Sequence, residues 1–336
     1  MSEKNIVIAL DAMGGDNAPG EICLGAVKAC EKYSDIEIVL TGDSEKIKAC
    51  GVNHPRIHIE HASEIIDPEE HPANAIRRKK NSSLRVAMEI VRRGDAQGCV
   101  SAGSTGAIVA GGVLVVGRLP GIDRPALGVP IPSVEKVSLM LDVGATVRCT
   151  PKNLLQFALM GELYSRKIMN VENPEIKLLS NGTEEIKGDD TVLGARELIE
   201  KHGDINFGGY IEGNDVVWGK ADVIVCDGFN GNIALKLGEG VMQALKSLLT
   251  EEVGKSFMAK AGMVLMAPVV KKLWKRFNYE QYGGSPLLGV NGAVIKAHGR
   301  SKSPAILSAI SVARNVIREK VNDQLEIKDI EEGINS

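Results

Sequence analysis

Aromatic residues are scarce in this sequence: two Trp, five Tyr and five Phe make up 4% of 336 residues. So few rings leave little for the stacking platforms on which single-stranded nucleic acid lies. Positive charge is not in excess either, 40 Lys and Arg standing against 43 Asp and Glu for a net charge of −3. A duplex-binding protein carries a basic surplus, so no nucleic acid partner is expected and any basic patch is local. The six cysteines, at 23, 30, 50, 99, 149 and 226, sit singly, with no CxxC and no Cys/His spacing of a zinc site; they read as reduced, buried, structural thiols, and no metal is expected. Nucleotide signatures are missing too. No GxGxxG follows the first apolar run, and residues 213–221 (GNDVVWGKA) miss the Walker A pattern by one residue and end on Ala221 where Ser or Thr is needed. Glu3, Lys4 and Asp11 bracket an apolar run too short for a signal peptide, so a cytoplasmic chain is expected. Pro-rich or Ser-rich linkers and solenoid repeats are absent, and residues 1–336 read as one unit.

What the chain has in quantity is glycine, 37 residues, placed where apolar runs give way to helical patterns. Residues 6–10 (IVIAL) form a short unbroken apolar run, as expected of a strand buried on both faces of a parallel sheet. A helix from about residue 22 and a strand over 36–40 follow. The alternation continues with strands at 56–60, 97–100, 137–143, 175–179, 205–210 and 221–226, and helices at 83–93, 105–116, 153–167 and 191–202. Strands alternating with helices predict a doubly wound, mostly parallel α/β sheet covered on both sides. The last third differs. Residues 232–257 carry a long helical pattern, 258–270 are almost uncharged with Pro268 breaking them, and KKLWKR follows at 271–276. Residues 236–281 therefore read as helices projecting from the sheet body.

In open α/β sheets, ligands sit outside the carboxyl ends of the strands, where loop amides and helix N-termini are unpaired. Four such turns are rich in Gly, Ser, Asn and Asp: 11–17 (DAMGGDN), 101–106 (SAGSTG), 142–146 (DVGAT) and 227–232 (DGFNGN). SAGSTG opens an apolar helix, so Ser104, Thr105 and the amides near Gly106 lie at a positive helix end suited to an anion. The alternative is that Ser104 or Thr105 is a helix cap. His298, followed by Gly299, Arg300 and Ser301, stands in a turn where it can orient or deprotonate an anion, with Arg300 supplying charge. Lys187 and Lys236 are further cation candidates. Ser104 also falls in an AxSxG pattern with Asp227 and His298 downstream in hydrolase order, which keeps a serine esterase or thioesterase as a second reading.

Six ordered blocks, DAMGGD at 11–16, SAGSTGA at 101–107, LDVGA at 141–145, EIKG at 185–188, DGFNGN at 227–232 and YGGSPLLG at 282–289, closely resemble the motifs of the bacterial acyl-ACP:phosphate acyltransferase (PlsX) family over nearly the whole chain. Ser104 and Thr146 stand where Asn is expected in many relatives. The resemblance implies a fold like that of phosphotransacetylases and isopropylmalate dehydrogenases. It also implies the reaction of acyl-ACP with phosphate to give acyl phosphate and ACP, feeding phospholipid synthesis. Inorganic phosphate is then a substrate, with no metal or redox cofactor, and the implied partners are an acyl carrier protein, a second copy of the chain and a membrane acyltransferase. On this footing Ser101, Gly103, Ser104, Thr105, Gly106, Gly14, Gly15, Asp16, Asn230, Asn232 and Arg300 are assigned to phosphate, and His298, Asp227, Lys187 and Asp11 to catalysis. Met263, Leu265, Met266, Val269 and Trp274, beside the cations of 271–276, suit an anionic bilayer surface. A dimer or core helix is the alternative for that segment.

Overall fold

The expected first strand lies inside a sheet, paired on both edges by parallel neighbours. A computed structural model describes residues 5–277 and 283–325. Its strands are β1 (Ile6–Asp11), β2 (Ile36–Gly42), β3 (Ile57–His61), β4 (Gly98–Ser101), β5 (Ala126–Leu127), β6 (Val129–Pro132), β7 (Val137–Leu141), β8 (Ile176–Leu179), β9 (Phe207–Ile211), β10 (Val223–Val225), β11 (Ser285–Leu288) and β12 (Ala293–Lys296). The helices are α1 (Gly20–Lys32), α2 (Ser44–Ala49), α3 (Pro72–Arg78), α4 (Ser83–Arg92), α5 (Thr105–Gly111), α6 (Pro151–Ile168), α7 (Asp190–His202), α8 (Gly213–Val216), α9 (Gly228–Lys255), α10 (Phe257–Phe277), α11 (Ser303–Arg318) and α12 (Val321–Gln324). A π-helical turn, Gly112–Val116, continues α5.

The mostly parallel α/β architecture is as expected, but the strands divide between two sheets. One has the order β3-β2-β1-β4-β12-β11-β5 and the other β6-β7-β10-β8-β9. In the first, only β11 runs against the others, antiparallel to β12 on one side and β5 on the other; in the second only β6 is antiparallel. An open twisted sheet rarely exceeds about ten strands without splitting, and here the split falls at Gly128, between β5 and β6, whose amide donates to Pro286 O at 2.9 Å. The two sheets share their cores. Leu10 and Ile38 belong to one buried cluster with Leu141, Phe157 and Tyr164, and Ala9 and Leu127 to another with Met140 and Ile224.

The long helices follow their sequence signals. Thr150 and Asn153 cap α6 reciprocally, with Pro151 in the first turn, so the helix starts where the sequence can satisfy its orphan amides. Its apolar stripe of Leu154, Leu155, Phe157, Ala158, Leu163 and Tyr164 is buried. Gly25 lets α1 approach α11: a Cβ there would stand 2.6 Å from Ile306 Cγ2.

Two expectations are corrected. Pro268 does not break the apolar segment, because α10 runs through it; proline removes one interior hydrogen bond, and twenty other residues propagate the helix. Cys50 is exposed and Cys149 half-buried, while the other four cysteines are buried, all six being free thiols. In the segment at 236–281, read as projecting helices, α9 buries only Gly228 and Gly231, at its base, and at 28 residues extends about 42 Å, while 278–281 lie outside the described residues.

Candidate active site

Three turns at the carboxyl edge of the first sheet are locked together by short polar contacts. Asp11 ends β1 and is 2% exposed; its Oδ2 accepts the Ser101 hydroxyl at 2.6 Å, and Ser101 Oγ accepts the Gly103 amide at 3.0 Å. The DAMGGD turn is thereby tied to SAGSTG. The Asp16 amide donates to Gly299 O at 2.8 Å, tying the same turn to the one after β12. Gly14 and Gly15 make this closeness possible. A Cβ on Gly14 would stand 2.5 Å from Asp11 Oδ2, and Gly15 adopts φ of +95°, which favours glycine.

Beyond Gly103 the chain enters α5. Ser104 occupies the cap position, yet its hydroxyl makes no capping hydrogen bond. The cap alternative is therefore not used, and the hydroxyl and first-turn amides of α5 border a cavity of about 670 Å³. His298 borders it from the turn after β12. Its Nδ1 accepts the Arg300 amide at 3.2 Å, which puts the proton of the neutral ring on Nε2.

The opposite wall comes from the second sheet. Asp142, just after β7, is fully buried and accepts the amides of Leu127, Gly144, Ala145 and Thr146 at 2.6–3.1 Å. Burial raises its pKa against the pull of those amides. It builds the turn that presents Val143 and Gly144 to the cavity. The base of α9 is wedged against that turn through Gly231, where a Cβ would overlap Asp142 O. From α9, Asn232, Leu235, Lys236 and Glu239 face inward at helical spacing.

Of the residues assigned from sequence, Asp11, Gly14, Gly15, Asp16, Gly103, Ser104, Thr105, Gly106, Asn232 and His298 line this one cavity, with Ser101 hydrogen-bonded behind Asp11. Asp227, Asn230, Lys187 and Arg300 do not line it. Asp227 is the cap of α9, accepting the amides of Phe229 and Asn230 at 2.8 and 2.9 Å and the Asn230 side chain at 2.6 Å. That pair closes a helix end. Lys187 lies in the loop between β8 and α7, and Arg300 is exposed. Thr146 is buried and donates to Pro125 O at 3.1 Å, so it supports the turn. The esterase triad is not assembled: His298 Nδ1 receives an amide hydrogen where a triad histidine donates one to a carboxylate, and Asp227 is committed elsewhere. Sequence reading missed Lys296, Glu239 and Ser285, all on the cavity wall. Lys296 had a signal, a lone cation at the end of Ala293-Val294-Ile295. Tyr282, which begins the last sequence block, lies outside the described residues.

Burial sets the charge of the floor. Asp11 has its pKa raised above 3.8, chiefly by desolvation, against the hydrogen bonds it accepts. The folded chain then holds the Asp11 proton more tightly than the unfolded chain. The stability so gained is complete below pH 3.8 and is lost as pH rises through the higher folded value. Asp11→Asn removes this titration, so its stability relative to the parent protein should grow as pH rises from 4. Urea midpoints between pH 4 and 8 measure it, and a difference that does not change with pH would contradict it.

Residues 6–324 match the family model described as "Fatty acid synthesis protein". The phosphate acyltransferase of Heliobacterium modesticaldum is 48% identical over 317 residues, 93% of this chain and 94% of that one. That of Pelotomaculum thermopropionicum is 48% identical over 332 residues, 98% and 95% of the two chains. Among solved structures, a phosphotransacetylase from Streptococcus pyogenes superposes with a TM-score of 0.61 at 19% identity, over 93% of this chain and 94% of that one. A branched-chain phosphotransacylase from Enterococcus faecalis gives 0.55 at 12%, over 92% and 98%. The fold is shared with these enzymes, and the chain belongs to the phosphate acyltransferases, a family of acyl-transferring enzymes that act with phosphate.

Proposed function

We propose that the enzyme transfers the acyl group of an acyl carrier protein thioester to inorganic phosphate, releasing acyl phosphate and free carrier. The observation that carries this is the make-up of the cavity that the three turns border. The SAGSTG turn, the first residues of α5 and His298 line it together with apolar Ile65, Ile66, Pro68, Leu84, Leu127 and Leu235. Polar groups suited to an oxyanion and apolar side chains suited to an acyl chain thus share one cavity.

Phosphate is a well-hydrated anion and a weak nucleophile in water. Fixed amides and the hydroxyls of Ser104 and Thr105 replace its hydration and hold one oxygen in line with the thioester carbonyl; such positioning supplies up to about 7–11 kcal/mol in ideal cases. That oxygen bonds to the carbonyl carbon, the carbon–sulfur bond breaks, and the thiolate leaves with the electron pair and takes up a proton. His298 Nε2–H is suited to donate to the oxyanion or to the leaving sulfur. Incubating the enzyme with palmitoyl carrier protein tests the reading: hydroxylamine-trappable product forms only with phosphate present. Carrier release at equal rate without phosphate would leave a thioesterase.

The projecting helices support attachment to an anionic membrane surface and pairing with a second copy. No helix among the described residues is long and apolar enough to cross a membrane. Along α10, Leu265 is 83% exposed, Met266 and Val269 are exposed, and Met263 and Trp274 are half-buried. Along α9, exposed Leu237, Val241, Leu245 and Leu248 recur at spacings of four, four and three, as in a helix–helix seam. A product with a long acyl chain suits release at a bilayer, where a membrane acyltransferase would consume it. Leu265→Glu should cut recovery with floated anionic vesicles severalfold without changing turnover on soluble substrate. Equal flotation of the variant would favour a protein contact at this site.

A further inference from the structure

The most deeply placed cation of the cavity wall stands on a strand. Lys296 ends β12, where its backbone pairs with Ser101 of β4 on one side and Ser285 of β11 on the other. Ser101 is hydrogen-bonded to Asp11, and Asp11 pairs with Thr41 of β2. One rung of the first sheet therefore reads Thr41, Asp11, Ser101, Lys296, Ser285. The rung before it reads Leu40, Leu10, Val100, Ile295, Pro286. The sheet turns from wholly apolar to wholly polar within one residue of the cavity.

Within that rung Thr41, Asp11 and Ser101 have side-chain partners. Asp11 accepts from Ser101, and the Thr41 hydroxyl donates to Ser83 O at 2.9 Å. Lys296 is faced across the cavity by Glu239 and Lys236 of α9, and desolvation lowers its pKa, with Glu239 opposing and Lys236 adding to the shift. Asp16 and Asp67 sit on the exposed rim. A desolvated ammonium held by backbone pairing beside the SAGSTG turn gains most from an anion that enters the cavity.

We propose that Lys296 is the fixed cation that holds inorganic phosphate for attack on the thioester, an inference that rests on the phosphate acyltransferase reading of the same cavity. The alternative phosphoryl group, the diester of a carrier's prosthetic arm, lies at the far end of that arm from the reacting carbonyl. The test compares the parent enzyme, Lys296→Met and Lys296→Arg with palmitoyl carrier protein, and with S-acyl-N-acetylcysteamine, a donor that has no phosphate. With both donors, Lys296→Met should raise KM for phosphate at least tenfold, leave KM for the donor within twofold, and be partly rescued by Lys296→Arg. An effect confined to the carrier donor would move Lys296 to the prosthetic arm, and an unchanged phosphate KM in a folded Met variant would overturn the proposal. Absence of trappable product from the parent enzyme itself would instead overturn the underlying reading. A measurement on the unmutated protein stands beside these: phosphate should slow reductive methylation of Lys296, read by peptide mass spectrometry, and not that of exposed Lys48. Equal slowing, or none, would contradict the assignment.

Discussion

His298→Ala is expected to lower kcat by a factor of about 10²–10⁴, the range of a positioned proton donor, while moving stability by less than about 1 kcal/mol. The ring is half-buried at the cavity edge, and the tautomer is set by the Arg300 amide on Nδ1. What faces substrate is then an N–H donor, useful to a developing oxyanion or a departing thiolate. His298→Gln keeps a donor of similar reach and should retain more activity than His298→Ala. Steady-state assays at saturating phosphate, paired with thermal melts, measure both. Unchanged turnover in the alanine variant would remove the imidazole from the reaction.

Gly14→Ala is expected to cost at least a hundredfold in kcat/KM and about 1–3 kcal/mol of stability, the range for inserting a methyl group into close-packed structure. The new Cβ would stand 2.5 Å from Asp11 Oδ2, 2.9 Å from the Gly103 amide and 3.0 Å from Ser101 Oγ. The second is backbone, and the first and third are the ends of short, buried side chains hydrogen-bonded to each other. Relief requires the DAMGGD and SAGSTG turns to part, and a misplacement of about 1 Å costs an in-line attack roughly a hundredfold. Gly20→Ala is the control, since a Cβ there meets nothing within 4 Å; its activity should match the parent protein. A fully active Gly14→Ala enzyme would show that the two turns do not need their fixed separation.

Much of this site was legible because its signals are local. An apolar run that ends on Asp11 followed by two glycines specifies both a buried strand and a turn at its carboxyl end. The same holds for Cys99-Val100-Ser101 and SAGSTG. Two residues assigned from sequence stand outside the cavity for a shared reason. Asp227 and Asn230 belong to the small set of side chains that cap helices as readily as they bind ligands, and only tertiary placement distinguishes the two uses. Lys296 and Glu239 were missed for the opposite reason. β12 is four residues long, too short for periodicity to register, and Glu239 is one charge among many on a long helix. The division into two sheets hangs on two-residue β5 and a single crossing glycine, whose pairing with β11 spans about 160 residues of chain.

On the proposed reading, the turns after β1, β4 and β12 form one receptacle for inorganic phosphate. A crystal soaked in phosphate at millimolar concentration tests it most directly. Tetrahedral density is expected within 3.2 Å of the first amides of α5, touching Ser104 or Thr105 and reaching toward His298. A phosphate bound only elsewhere on the molecule, in crystals of enzyme that forms acyl phosphate, would contradict it.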